Sequence, residues 1–321
     1  YASPTLNIPG FSPDTLTNSG GNDTFILKYL GDGTPQWAKN IGGTATDQPV
    51  NMVLDSTGNL YVSGYYNSPT LNIPGFSPNT LTSSASSDTF ILKYLADGTP
   101  QWAKNIGGTL NDRPVNMVLD SSGNIYVSGN YSSSTLNIPG FVPNTLTNSG
   151  GNDTFILKYL ADGTPQWAKN IDGTGDEKPV NMVLDSSGNL YISGTYSSST
   201  LNIPGFVPNT LTNSGSLISD TFILKYLADG TPQWAKNIGG TGADLPISMV
   251  LDSTGDLYVS GYYASPTLNI PGFSPDTLTN SGGNDTFILK YLGDGTPQWD
   301  KFWWKRYFYI KILGRWNTPM G

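Results

Sequence analysis

The chain has 321 residues, 38 of them Gly and 23 Pro; 12% are charged and 37% hydrophobic, enough for a packed core and unlike a charge-rich disordered tail. It contains neither Cys nor His, which excludes disulfides, thiol nucleophiles, imidazole bases and nearly every zinc, copper or haem site. The formal charge of −8 argues against nucleic acid as a partner, and no apolar run is long enough to insert a helix into a membrane.

The chain starts at Tyr1 inside a repeat, without Met, and reads as a mature product or a fragment. The segment TLNIPG recurs at Thr5, Thr70, Thr135, Thr200 and Thr267, in steps of 65, 65, 65 and 67 residues; the longer step comes from two residues added between Gly215 and Ser219. Residues 1–37 are identical to residues 263–299, the mark of a recently duplicated cassette.

Within one unit, PVNMVLD at 49–55 and NLYVSGYY at 59–66 are β-rich runs joined by Ser-Thr-Gly, which predicts a hairpin of strands a and b. A Pro-, Ser- and Asn-rich connection follows at 68–87, in which TLNI and TLT can pair as a small extra hairpin. TFILKYL at 89–95 alternates Phe90, Leu92 and Tyr94 with Ile91, Lys93 and Leu95, predicting a strand c with two unlike faces. Asp97-Gly98 then turns the chain into strand d at 100–106. No helical periodicity of useful length is present. The expected fold class is all-β, a β-propeller of four-stranded blades with about 65 residues per repeat. Strands c and d occur five times over residues 1–299 and strands a and b four times, which predicts four complete blades and one half blade.

DTFILKYLADGTPQWAKNIGGT, as at 88–109, then a few variable residues, then PVNMVLDSTGNLYVSGYY, as at 49–66, is similar over about residues 1–299 to the bacterial beta-propeller repeat called SBBP. That resemblance implies an extracellular or surface-associated protein, mostly without assigned activity, and brings no catalytic residues with it. Two departures stand out: the long connection between strands b and c enlarges the blade, and the family's nominal seven blades do not fit in this length.

Differences between copies concentrate in the connection from strand d to the next strand a, which reads Ala45-Thr46-Asp47-Gln48, Leu110-Asn111-Asp112-Arg113, Gly175-Asp176-Glu177-Lys178 and Gly242-Ala243-Asp244-Leu245. In a propeller these loops and the b-to-c insertions leave the blades at one end, so they would line one face. The candidate ligand-binding residues are Gln48, Asn111, Asp112, Arg113, Asp172, Asp176, Glu177, Lys178 and Asp244, with a glycan or a surface protein as the partner class. Asp172, Asp176 and Glu177 gather acids in one loop and bring general acid–base chemistry into view, but adjacent loop acids are ordinarily solvated and no enzyme is predicted. Asp55, Asp120, Asp185 and Asp252 each open an Asp-Ser-x-Gly turn; such an Asp caps its own hairpin, and the turn lacks the alternating acids of a dedicated Ca²⁺ loop, so no cofactor is expected. Trp37, Trp102, Trp167, Trp234 and Trp299, one per strand d, are expected between blades, and Lys28, Lys93, Lys158, Lys225 and Lys290 are expected to pair with acids of an adjoining strand. Asn22, Asn152 and Asn284 each begin an Asn-Asp-Thr glycosylation motif.

The end of the chain, DKFWWKRYFYIKILGRWNTPMG at 300–321, resembles nothing before it. From Lys301 onward codons exist whose bases, read one nucleotide later, spell NSGGNDTFILKYLADGTPQW, the repeat itself. Trp303, Trp304, Trp316 and Met320 have one codon each and still agree with that reading. The tail is therefore expected to be a repeat in a shifted frame, and the authentic repeat region is more acidic than the whole chain.

Overall fold

The computed structural model describes residues 1–215 and 218–303, and among them there is no helix. The chain forms four antiparallel sheets of four strands, each in the order a-b-c-d. Sheet 1 comprises Asp47–Leu54, Leu60–Tyr66, Asp88–Tyr94 and Pro100–Ile106; sheet 2, Asp112–Leu119, Ile125–Tyr131, Asp153–Tyr159 and Pro165–Ile171. Sheet 3 comprises Glu177–Leu184, Leu190–Tyr196, Asp220–Tyr226 and Pro232–Ile238; sheet 4, Asp244–Leu251, Leu257–Tyr263, Asp285–Tyr291 and Pro297–Trp303. Ahead of them, Thr24–Tyr29 pairs with Pro35–Ile41 as a two-stranded sheet, the c and d strands of a unit without a and b. The TLN and TLT segments of every insertion pair as predicted, Thr70–Asn72 with Thr80–Thr82 in sheet 1. The shifted-frame reading of the tail concerns residues that lie, from 304 on, outside the described ones.

Successive sheets stack so that their a strands lie side by side and strand a of each sheet also touches strand b of the sheet before it. This stacking alters the expectation for strand c. Both of its faces are covered, and Asp88–Tyr94 is buried at every position, Lys93 included. The two unlike faces seen in sequence are two packed layers in sheets 1 and 2, one on each side of the sheet, while in sheet 4 one face of strand c stays partly exposed.

Trp37, Trp102, Trp167 and Trp234 lie between sheets, as expected, while the side chain of Trp299 lies outside the described ones. Trp102 of sheet 1 stacks on Tyr159 of sheet 2 at 6.4 Å between ring centroids, and its indole N–H donates to the Ala161 carbonyl at 3.2 Å. The lysines differ from expectation. Lys93 Nζ donates to the same Ala161 carbonyl at 2.6 Å and sits 4.8 Å from the Tyr61 ring centroid. Lys158 and Lys225 repeat this on the sheets that follow them. A carbonyl and a ring face solvate a half-buried ammonium without requiring an acid at the junction. Acid pairing occurs at Lys290, 2.9 Å from Asp256 and 3.6 Å from Asp252, where no following sheet exists among the described residues.

Each insertion is also more structural than its polar composition suggests. Leu71, Ile73, Phe76 and Leu81 are buried together with Ile41, Phe90, Leu92 and Tyr94, so the small hairpin wedges between neighbouring sheets. Gly42 bridges to Asn72, tying the end of one strand d to the insertion of the next unit.

Candidate binding face

The start of strand a, the end of b, the start of c and the end of d meet at one end of each sheet, together with the insertions. Each d-to-a loop there is folded around a buried carboxyl. Asp112 accepts from the Gly108 N–H at 2.6 Å and from the Ser133 hydroxyl at 2.7 Å. Asp47 does the same with Gly43 and Ser68, and Asp244 with Gly240 and Ser265. Glu177 accepts from the Ser198 hydroxyl. All four are the first residues of strand a and are buried, so Asp112, Glu177 and Asp244 do not belong to an exposed loop surface as the sequence reading had it. The reason is register: the strand begins two residues earlier than the Pro-Val run suggested, and the acid is spent closing the loop behind it.

A second buried carboxyl, the first residue of strand c of the preceding sheet, faces three of these: Asp88 toward Asp112, Asp153 toward Glu177, Asp220 toward Asp244. Asp88 is seated against Gly107, where an added Cβ would lie 2.1 Å from its Cγ. Asp23, Asp88 and Asp220 each keep one oxygen without a hydrogen-bond partner, as does Glu177. Burial, reinforced by the facing carboxyl, pushes Asp88 and Asp220 up to about 6. Burial pushes Asp153 and Glu177 up as well, Glu177 further because the Asp153 carboxyl faces it.

The third junction departs in two places at once. Asp172 stands where the other loops have Gly42, Gly107 and Gly239, and Glu177 stands where they have Asp47, Asp112 and Asp244. At the other loops a Cβ in this position would lie 2.1 Å from the strand c carboxyl, so a side chain at position 172 needs the junction to be rearranged. Gly173 N–H now donates to Asp153 at 3.4 Å, and Asp172 accepts from the Ser149 hydroxyl at 2.6 Å.

The remaining predicted residues lie at the surface of this end. Asp176 accepts from the Asn152 backbone and side chain at 3.0 and 2.8 Å and pairs with Lys178 at 3.0 Å. Against its partial burial, these amide and ammonium contacts hold Asp176 below the usual carboxylate range. Asn152 also accepts from the Ser132 hydroxyl at 2.6 Å, so this motif asparagine is already engaged. Ser132, Ser134, Asn148, Ser149 and Gly150 form, with Thr109 and Leu110, a groove of about 500 Å³. Asp172, Asp176 and Lys178 are thus joined to the groove through Ser149 and Asn152. Gln48 and Arg113 form a separate group: Gln48 accepts from the Tyr65 hydroxyl at 2.6 Å, and the Arg113 guanidinium lies 4.1 Å from the same ring centroid. Asn111 is exposed beside them and accepts from Ser86 at 2.9 Å.

The groove serines and Tyr65 were not found from sequence. They sit in segments that look like linker or core, and only the comparison of Tyr65 with Asn130, Thr195 and Tyr262 at the same position hinted at variation on this face. The turn aspartates behave as expected: Asp55 Oδ1 accepts from Thr57 N and Asn59 N, both at 3.0 Å, and Oδ2 from the Asn59 amide at 2.8 Å. Among the described residues no three acidic side chains converge as a metal site, and no helix is long and apolar enough to cross a membrane.

Residues 101–130 match the model of the SBBP beta-propeller repeat family. Among curated proteins the chain is 27% identical over 329 residues to an uncharacterized WD repeat-containing protein of Acanthamoeba polyphaga mimivirus, covering 86% of this chain and 24% of that protein. It is 26% identical over 281 residues to the regulatory protein FlaEY of Caulobacter vibrioides, covering 84% of this chain and 28% of that one. The chain therefore spans about a quarter of the length of these relatives. Residues 101–130 carry a beta-propeller repeat, and the chain is built from further copies of the unit in which that repeat lies.

Proposed function

We propose that this chain is an arc of a β-propeller in an extracellular or cell-surface protein, acting as a binding or adhesion module without enzymatic activity. Its contact surface is the end of the sheets that carries the groove, the exposed Asn111 and Lys178 and the partly exposed Gln48, Arg113, Asp172 and Asp176. One observation carries this reading: side chains that differ between copies lie outermost there, while the buried carboxyl and serine beneath them are nearly unchanged from unit to unit. A scaffold held constant under a variable polar layer supports recognition by that layer. Hydroxyl and amide groups around the groove, with exposed Leu110 beside them, suit a glycan or a polar protein surface.

Screening the chain on glycan and surface-protein arrays tests this, with an Asn111→Ala/Asp176→Ala/Lys178→Ala variant as the comparison. Specific binding reduced about tenfold or more by the triple change supports the module. Absence of any binding favours a structural spacer, and turnover of a polysaccharide favours a carboxylate-dependent hydrolase.

A further inference from the structure

Every Lys of residues 1–303 except Lys178 stands at one of two positions repeated from unit to unit, and Arg113 is the single Arg among the described residues. Arg113 and Lys178 occupy the same place, the second residue of strand a, in sheets 2 and 3. Their surroundings differ in charge. Two residues before Lys178 stands Asp176, whose carboxylate pairs with the ammonium at 3.0 Å. Two residues before Arg113 stands Asn111, and the guanidinium has no carboxylate within ion-pair distance among the described residues. The corresponding pairs Thr46–Gln48 and Ala243–Leu245 carry no charge, so a cation is left over at the junction between sheets 1 and 2 alone.

The guanidinium is also held in place. It lies 4.1 Å from the centroid of the Tyr65 ring, whose hydroxyl donates to Gln48 at 2.6 Å. In the next two junctions the position of Tyr65 is taken by Asn130 and Thr195, so the ring occurs where the Arg does. Nη2 donates to the Ser87 hydroxyl at 3.2 Å, Nε is buried without a partner, and Nη1 makes no hydrogen bond among the described residues. The side chain is partly exposed, so its unused donors at the Nη end are the ones a ligand can reach. Ser86 donates to Asn111 Oδ1 at 2.9 Å, which leaves the amide N–H₂ of Asn111 without a partner among the described residues. The segment Ser86-Ser87 thus holds a planar cation and a neutral amide donor side by side, between two sheets that each have their four strands.

We propose that Arg113 and Asn111 bind the carboxylate of an acidic sugar, a uronate of a polysaccharide, which supplies from outside the charge that Asp176 supplies to Lys178. This rests on the reading of this face as a contact surface and names the chemistry of its ligand. A guanidinium fork pairs with a planar carboxylate through parallel N–H···O bonds, and the stack on Tyr65 reduces the conformational freedom lost on binding. The surroundings select a sugar over an acidic peptide. Ser86, Ser87, Asn111, Gln48 and the Tyr65 hydroxyl make a set of hydroxyl and amide groups that matches the hydroxyls of a sugar ring.

Calorimetric titration of the full chain with oligogalacturonate and oligomannuronate, each set against its methyl ester, tests the proposal. The expected result is saturable binding of a free acid, weakened about tenfold or more in its ester, which keeps the sugar and loses the charge. Arg113→Gln weakens binding of the acid about tenfold or more, and Arg113→Lys, which keeps the charge without the fork, restores only part of it. Asn111→Asp, at an exposed position, installs the internal acid that sheet 3 already carries; it weakens binding about tenfold while the melting temperature is unchanged. Absence of binding by both acids overturns the proposal, as does equal binding of acid and ester, or binding that neither Arg113→Gln nor Asn111→Asp alters. Tighter binding of an oligoglutamate than of either uronate overturns the sugar as ligand. The contact face itself fails separately, when the glycan and surface-protein arrays show no ligand of any kind.

Discussion

At the scale of single residues the buried carboxyl pairs set how stability depends on pH. Asp88 and Asp220 are held at about 6 when folded, above the ordinary range near 4 of an unfolded Asp, and Asp153 and Glu177 are raised as well. A raised folded pKa means that the folded chain binds the proton more tightly. The stabilisation is complete below the unfolded value and is lost as pH rises through the folded one. The turn aspartates Asp55 and Asp252, lowered by their hydrogen bonds, act in the opposite sense and lose their contribution as pH falls below about 4. Melting temperature is therefore expected to be highest near pH 4 and to fall by several degrees as pH rises through about 6, with Glu177 extending a smaller part of the fall above that. Asp88→Asn, which removes one titrating member of a pair, should flatten that fall in a calorimetric pH series. A steeper fall in the variant, or an unchanging melting temperature from pH 4 to 6 in the parent, would count against the raised carboxyls.

The paired departures of the third junction give a second residue-scale prediction. Gly107→Asp alone drives a side chain into the Asp88 carboxyl, and Asp112→Glu alone lengthens an acid with no shifted partner to meet. Together they reproduce the arrangement of Asp172 and Glu177. A double-mutant cycle by urea unfolding should give a favourable coupling of about 0.5–3 kcal/mol, and additivity would show the two departures to be independent.

At the scale of the strand and the junction, one d-strand tryptophan does several things at once. Trp102 stacks on Tyr159, meets Tyr61 edge-on at 5.9 Å and donates to Ala161 across the junction. Gly163, with φ +86°, presents its open side to that ring, and an added Cβ would lie 2.9 Å from it. Trp102→Ala is expected to cost about 3–5 kcal/mol in equilibrium unfolding, most of it from the junction between sheets 1 and 2. Trp37, which makes the corresponding stack at the end of the array, should cost less because the sheet it belongs to is already half open. Equal costs would place the energy within each sheet and not between sheets.

At the scale of the whole molecule the array behaves as units plus interfaces, in which each sheet is stabilised by its neighbours and the end units are weakest. The open c and d pair is such an end, and its exposed Phe25 and Tyr29 are what a complete neighbour would cover.

The period, the four strands, the small insertion hairpin, the turns at Asp-Gly and Ser-Thr-Gly and the inter-sheet tryptophans were all legible in the sequence, because each depends on local propensity or on exact repetition. The uneven strand count was legible for the same reason. What the tertiary structure alone decided were the properties that arise when one sheet lies against the next. Strand c became buried on both faces, Lys93 turned to a carbonyl instead of an acid, and Asp112, Glu177 and Asp244 went inward to meet the carboxyls of Asp88, Asp153 and Asp220. None of those partners is near in sequence, and the pattern of polar and apolar residues along one strand carries no record of what the adjoining sheet brings to the junction.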